Sequence, residues 1–153
     1  MKRVNSIFGA IGALLLILSC EKESTSQPQR PVIDNKAYVG TMTVDQNDGT
    51  SFTQEAVSVT FDIVDDAHMT IVMDGAKFAA AMPMSLTMTI ANVEYSSTST
   101  GYTLSGNNIV PEAMGGPFEQ FTITNLSGNI SVDSMTLDFI CGAYPVTFTG
   151  SIK

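Results

Sequence analysis

Residues 57–63 read Val57-Ser58-Val59-Thr60-Phe61-Asp62-Ile63, and every second side chain is apolar. A period of two marks a β-strand buried on one face, because successive side chains leave a pleated backbone on opposite sides. The same alternation recurs along the rest of the chain. Tyr38, Gly40, Met42 and Val44 precede the quoted stretch, and Met69, Ile71 and Met73 follow it. Met84, Leu86, Met88 and Ile90 then alternate with Ser85, Thr87 and Thr89, and a shorter run offers Tyr102 and Leu104. The sixth run opens with Phe121 and Ile123 and changes phase to Leu126, Ile130 and Val132, which predicts a bulge near Asn125 or a break at Gly128. Met135, Leu137, Phe139 and Cys141 form the seventh run, and Val146, Phe148, Gly150 and Ile152 the last.

Turn-forming residues fall between these runs: Asp48-Gly49, Asp65-Asp66, Asp74-Gly75, Gly106-Asn107-Asn108, Gly115-Gly116-Pro117 and Gly142. Strands joined by short turns pair antiparallel with their neighbours. Eight such strands, each with one apolar face, must close into a barrel or stack as two sheets. The expected fold is therefore all-β, an eight-stranded antiparallel up-and-down β-barrel, with a two-sheet β-sandwich as the alternative. One insertion stands out, Lys77 to Pro83, where Phe78 precedes a run of alanines and Met82. We read it as a longer connection.

Ahead of the strands the composition changes twice. The uncharged, largely apolar run Ile7 to Leu18 lies between Lys2-Arg3 and Ser19-Cys20. As a helix it would span only about 18 Å, short of the roughly 30 Å core of a bilayer. A basic start, a short apolar stretch and a small residue before the cut are the parts of an export signal. Ile17-Leu18-Ser19-Cys20 resembles a lipobox, in which Cys20 receives a diacylglycerol and becomes the mature N-terminus. Glu21 to Lys36 is polar, contains Pro28 and Pro31, and reads as a tether. The expected organisation is a signal peptide over 1–19, a tether carrying lipidated Cys20 over 20–36, and one barrel domain over 37–153.

Within 37–153, Lys77 and Lys153 stand against twelve acidic residues, a net charge of 2 − 12 = −10, with no arginine. Such a surface repels phosphate backbones and anionic headgroups. Nucleic acid is therefore not an expected partner, and the membrane is reached only through the lipid. Cys141 would be the single thiol left after lipidation. It follows Phe139 at strand spacing, which makes it an inward core residue.

Chemistry-bearing clusters are sparse. The lone His68 follows Asp65-Asp66, and the serines and threonines fall on outer strand faces, so no catalytic residues are assigned. Asp45-Gln46-Asn47-Asp48-Gly49 has the composition of a calcium loop, but its glycine comes one position early and Ala56 stands where a bidentate Glu is needed. No metal or cofactor is assigned. Methionine is the compositional oddity: Met42, Met69, Met73, Met84, Met88 and Met135 are all expected on the inner face. Flexible, polarizable side chains suit a cavity that adapts to apolar guests, and equally an irregular core.

The opening Tyr38-Val39-Gly40, the runs Gly128-Asn129-Ile130 and Met135-Thr136-Leu137-Asp138, and the closing Phe148-Thr149-Gly150 occur in order behind the lipobox-like start. In these the chain resembles the calycin-like lipoproteins of Bacteroidota, distant relatives of lipocalins and avidins, over Tyr38 to Lys153. The resemblance implies an eight-stranded barrel, and ligand binding inside it only by analogy of fold. If the first and last strands meet, Gly40 and Gly150 permit close approach at the seam. Asp133-Ser134-Met135 also resembles the O-glycosylation acceptor of Bacteroidota, which makes Ser134 a candidate modification site.

The functional expectation is a non-catalytic, envelope-anchored lipoprotein acting as a monomer on the outer membrane, facing the periplasm or the surface. It would bind a small apolar ligand in or at the mouth of the barrel, with Tyr38, Met42, Phe61, Met69, Met73, Met88, Tyr102, Phe121, Met135 and Phe139 as lining. The alternative is a protein-binding module, an inhibitor or accessory subunit, working through Asp45 to Ser51, Phe78 to Pro83 and Val110 to Phe118.

Overall fold

A computed structural model describes Ile33 and residues 36–153. The expected signal peptide, Cys20 and most of the tether lie outside the described residues. The strands are β1 (Tyr38–Asp45), β2 (Ser51–Ile63), β3 (His68–Ala76), β4 (Leu86–Ser97), β5 (Gly101–Gly106), β6 (Glu112–Ala113), β7 (Gly116–Pro117), β8 (Ile123–Ser131), β9 (Ser134–Cys141) and β10 (Tyr144–Ile152). Eight of them form the wall. β6 and β7 make a small hairpin that hangs from β4 through Met88 opposite Ala113 and Thr89 opposite Glu112.

Every wall strand pairs antiparallel with its neighbour in the chain, β5 passing to β8, and β1 pairs with β10 to complete the circle. The fold is thus a closed eight-stranded up-and-down barrel. The sandwich alternative is excluded, because one continuous ladder runs from β1 around to β10 and leaves no break at which two sheets could separate. Closure also removes the unpaired edges at which other chains add strands. At the seam Gly40 lies opposite Gly150. A Cβ on Gly40 would collide with the Thr149 carbonyl and the Gly150 Cα, so the close approach needs glycine there.

Four pairing irregularities adjust the phase of the apolar pattern, one at Gly75 and three at residues other than glycine. Ala56, Asn92 and Asn125 all have positive φ, at 58°, 56° and 52°. Each sits where the pairing slips, in β2 against β1, in β4 against β3 and in β8 against β9. An extra residue turns the following side chains to the other face. Val57, Val59 and Phe61 therefore point inward after Ala56, Val93 and Tyr95 after Asn92, and Leu126 and Ile130 after Asn125. The expected bulge near Asn125 is present. Gly128 breaks nothing and stays within β8.

Several expected placements are corrected. Met84 is 59% exposed and precedes β4, because the strand begins only where Leu86 pairs with Ala76. Ile63 and Val132 are exposed at strand ends, beyond the point where the opposite wall can cover them. Asp74-Gly75 is no turn: β3 continues through it to Ala76, Gly75 taking φ 81° at a pairing irregularity. Phe121 lies on a 3₁₀ turn, Glu119–Phe121, instead of a strand.

The interior is one apolar cluster, and among the described residues no buried polar side-chain atom lacks a hydrogen-bond partner. One end of the barrel is plugged by aromatic side chains. Phe61 contacts Tyr38 and Tyr102 at ring-centroid separations of 6.5 and 6.0 Å, and Tyr95 meets Tyr102 edge-on at 5.3 Å. Their hydroxyls reach backbone at the rim, Tyr38 donating to the Ser131 carbonyl at 2.7 Å and Tyr95 to the Asp65 carbonyl at 2.9 Å. An aromatic ring fills the end of the barrel while its hydroxyl remains satisfied at the edge.

Candidate functional site

The opposite end is built differently. There the β1–β2 turn, the β3–β4 connection, the segment from β5 to β8 and the β9–β10 turn come together. They are tied by backbone and amide hydrogen bonds. Gln46 Nε2 donates to the Phe78 carbonyl at 2.9 Å, Asn47 Nδ2 to the Ala143 carbonyl at 2.8 Å, and the Gly142 N–H to the Thr122 carbonyl at 3.0 Å. The three loops expected as a partner surface therefore sit at one end of the barrel.

Between the β3–β4 connection and the β6–β7 hairpin lies a cavity of about 270 Å³, lined by Phe78, Met82, Pro83, Met84, Leu86, Met114, Phe118 and Phe121. None of these side chains carries an N–H or O–H group. Phe78 and Phe121 stack at 6.0 Å and 22°, and Phe118 leans on Phe121 at 4.7 Å. Local bonds hold the aromatic residues in place. The Phe78 N–H donates to Met82 Sδ at 3.1 Å, and the Met82 N–H to the Ala79 carbonyl at 3.2 Å. The Phe118 N–H reaches the Pro111 carbonyl at 2.8 Å, and the Phe121 N–H the Phe118 carbonyl at 2.9 Å.

The rim residue Met114 has φ 54° and is followed by Gly115 at 85°, the two positive values of a type I′ turn linking Ala113 to Gly116. Glycine and asparagine take that conformation readily; methionine does so at a cost. Met114 is also 76% exposed, so burial does not compensate. A strained, exposed apolar residue at the lip of an apolar cavity is a feature to be explained by function.

The expected lining is redistributed. Tyr38, Met42, Phe61, Met69, Met73, Met88, Tyr102, Met135 and Phe139 are all buried in the core cluster, and of the ten only Phe121 lines the cavity. Methionines do line the site, but they are Met82, Met84 and Met114. Met84 was expected on a strand's inner face, and Met82 and Met114 lie within loops expected as a partner surface; in such connections no periodicity reports which side chains meet. The available signal was compositional, namely large apolar residues beside turn formers, as in Met114-Gly115-Gly116-Pro117-Phe118.

The other sequence candidates resolve as local structure. His68 Nδ1 lies 3.0 Å from Asp65 Oδ1, and that oxygen also accepts the Ala67 and His68 N–H groups. These bonds hold the Asp65 carboxyl below its usual range, the Ala67 N–H contributing most. In the calcium-like stretch, Asp45 accepts the Asn47 N–H and Asp48 accepts both the N–H and the hydroxyl of Thr50. Among the described residues no group of three His, Cys, Asp or Glu could hold a metal. Ser134 is exposed at the β8–β9 turn, its hydroxyl 2.9 Å from that of Ser131. Cys141 is buried, and desolvation pushes its thiol up to about 12.

No family model, curated protein or solved structure matches the chain.

Proposed function

We propose that this protein is a non-catalytic, envelope-anchored lipoprotein of the calycin-like kind found in Bacteroidota, and that it binds a small apolar molecule at the mouth of its barrel. The observation that carries this reading is the cavity beside the stacked Phe78 and Phe121, whose lining side chains offer only carbon and sulfur. An apolar space of about 150 Å³ already accepts a benzene-sized guest, whereas drug-sized sites start near 300 Å³. A cavity of about 270 Å³ suits a compact hydrophobe or the end of an alkyl chain.

The chain enters the barrel at the plugged end through Tyr38. The anchor proposed at Cys20 is therefore attached to the end opposite the mouth, which supports a mouth turned toward solvent. A second reading, a protein-binding module, draws on the exposed apolar residues Met84, Val110 and Met114 around that mouth. Its partner would insert an apolar side chain where the first reading places a free ligand.

Native mass spectrometry of the protein taken from its own envelope tests both. A diacylglycerol on Cys20 and a bound apolar molecule of a few hundred daltons are expected, and extra mass on Ser134 would reveal the glycan. Recovery with a protein subunit favours the second reading. An unlipidated Cys20 in an intact chain removes the anchor, and a barrel that comes out empty and takes up no neutral hydrophobe removes ligand binding.

A further inference from the structure

The cavity has no charge of its own, but its surroundings do. The turns and strand ends at the mouth carry Asp45 at the end of β1, Asp48 on the β1–β2 turn, Asp74 near the end of β3, Glu112 on β6 and Glu119 on the 3₁₀ turn. All five are exposed. Lys77, beside Phe78, is the single cation among them. Glu119 belongs to the same turn as the lining residue Phe121, and Glu112 lies opposite Pro117, next to Phe118. A ligand whose apolar part fills the cavity must leave its polar group at this rim.

From this juxtaposition we infer that the mouth site selects amphiphiles with a positively charged head, such as alkylammonium compounds, over neutral ones, and rejects anionic amphiphiles such as fatty acids. The inference rests on the mouth cavity being a ligand site. Two physical arguments support it. An ammonium group at the rim sits in the field of five carboxylates opposed by one lysine, and that field is attractive within a Debye length. A carboxylate head would meet the same field as repulsion. Moving deeper, it would find no N–H, O–H or guanidinium in the lining to replace its water, so burial would leave the charge unpaired.

The test uses the full chain in nanodiscs of neutral lipid and three ligands that share an alkyl chain: octylammonium, octanol and octanoate. Isothermal titration against empty nanodiscs removes partition into the lipid. At low ionic strength octylammonium should bind about fivefold tighter than octanol and octanoate several-fold weaker, the size of effect that a few unit charges acting through water produce. In about 1 M salt the three affinities should converge, because the screening length falls to about 3 Å. Changing Glu112→Gln together with Glu119→Gln should narrow the gap between ammonium and carboxylate, and Lys77→Gln should widen it. Octanol binding with no preference among heads overturns the inference and leaves the cavity as a ligand site. No binding of any of the three overturns both. Octanoate binding tightest, through Lys77, reverses the selectivity and refutes the charge argument.

Discussion

Replacing Met114 by asparagine should stabilise the barrel and weaken its binding site at the same time. The stabilisation follows from backbone geometry. Met114 holds φ 54° in the type I′ turn, a conformation that costs an ordinary L-residue roughly 1–2 kcal/mol and asparagine less. At 76% exposure the side chain has little burial to lose. A net gain of about 0.5–1 kcal/mol is expected, which for a domain of this size raises Tm by roughly 2–6 °C. Thermal and urea melts measure it directly. The loss of function follows from the lining: Met114 contributes apolar surface that becomes covered only when a guest is present. Removing that contact should weaken octanol binding about fivefold, equivalent to about 1 kcal/mol. Met114→Gly should act in the same direction on both measurements, since glycine also accepts the turn. A variant less stable than the native chain would refute the strain argument. A more stable variant with undiminished octanol affinity would show that Met114 is not part of the site.

Three further outcomes are expected. Tyr38→Phe deletes the hydroxyl that bonds the Ser131 carbonyl across the plugged end, and should cost about 1–2 kcal/mol in urea denaturation; an unchanged midpoint would show that water replaces the bond. Phe61→Asp places an unpaired charge among Tyr38, Tyr102 and the core and should prevent folding, so a cooperative native-like melt would contradict the burial of that face. The pH dependence has two limbs of opposite sign. Asp65 has a carboxyl pKa lowered in the folded state, so its contribution is present above the ordinary value of 3.8 and lost as pH falls through the folded value. Cys141 has a raised pKa, so its contribution is complete below the ordinary value of 9.0 and lost as pH climbs toward about 12. Asp65→Asn should flatten the acid limb and Cys141→Ala the alkaline one. The same burial predicts that thiol reagents leave native Cys141 unmodified at neutral pH, and prompt labelling would disprove it.

The barrel was legible in the sequence because its cause is local. Val57, Val59 and Phe61 alternate with Ser58, Thr60 and Asp62, and that spacing alone sorts side chains to the two faces of a strand. Repeated eight times with short turns between, it leaves few ways to bury every apolar face. Even the bulge at Asn125 showed itself as a slipped phase. The bulge at Asn92 did not, because Ala91-Asn92 resembles the end of a strand, and the inward turn of Val93 and Tyr95 becomes evident only from their pairing with β3 and β5.

What the chain determined by itself was an all-β wall, an apolar interior and an acidic exterior, since each depends on the order and polarity of neighbouring residues; closure of β1 on β10 was decided by the tertiary structure. Only the tertiary structure decided where the open apolar surface would be. Met42, Met69, Met73, Met88 and Met135, which the sequence left free either to line a cavity or to fill an irregular core, fill the core. The cavity belongs to Phe78, Met82, Met114, Phe118 and Phe121, which lie up to 43 positions apart, from Phe78 to Phe121, in connections without periodicity. Closure of the barrel brings the ends of its strands into a ring, and the loops that happen to share one end become a site. Proximity of that kind follows from the path of the whole chain and leaves no mark on any segment of it.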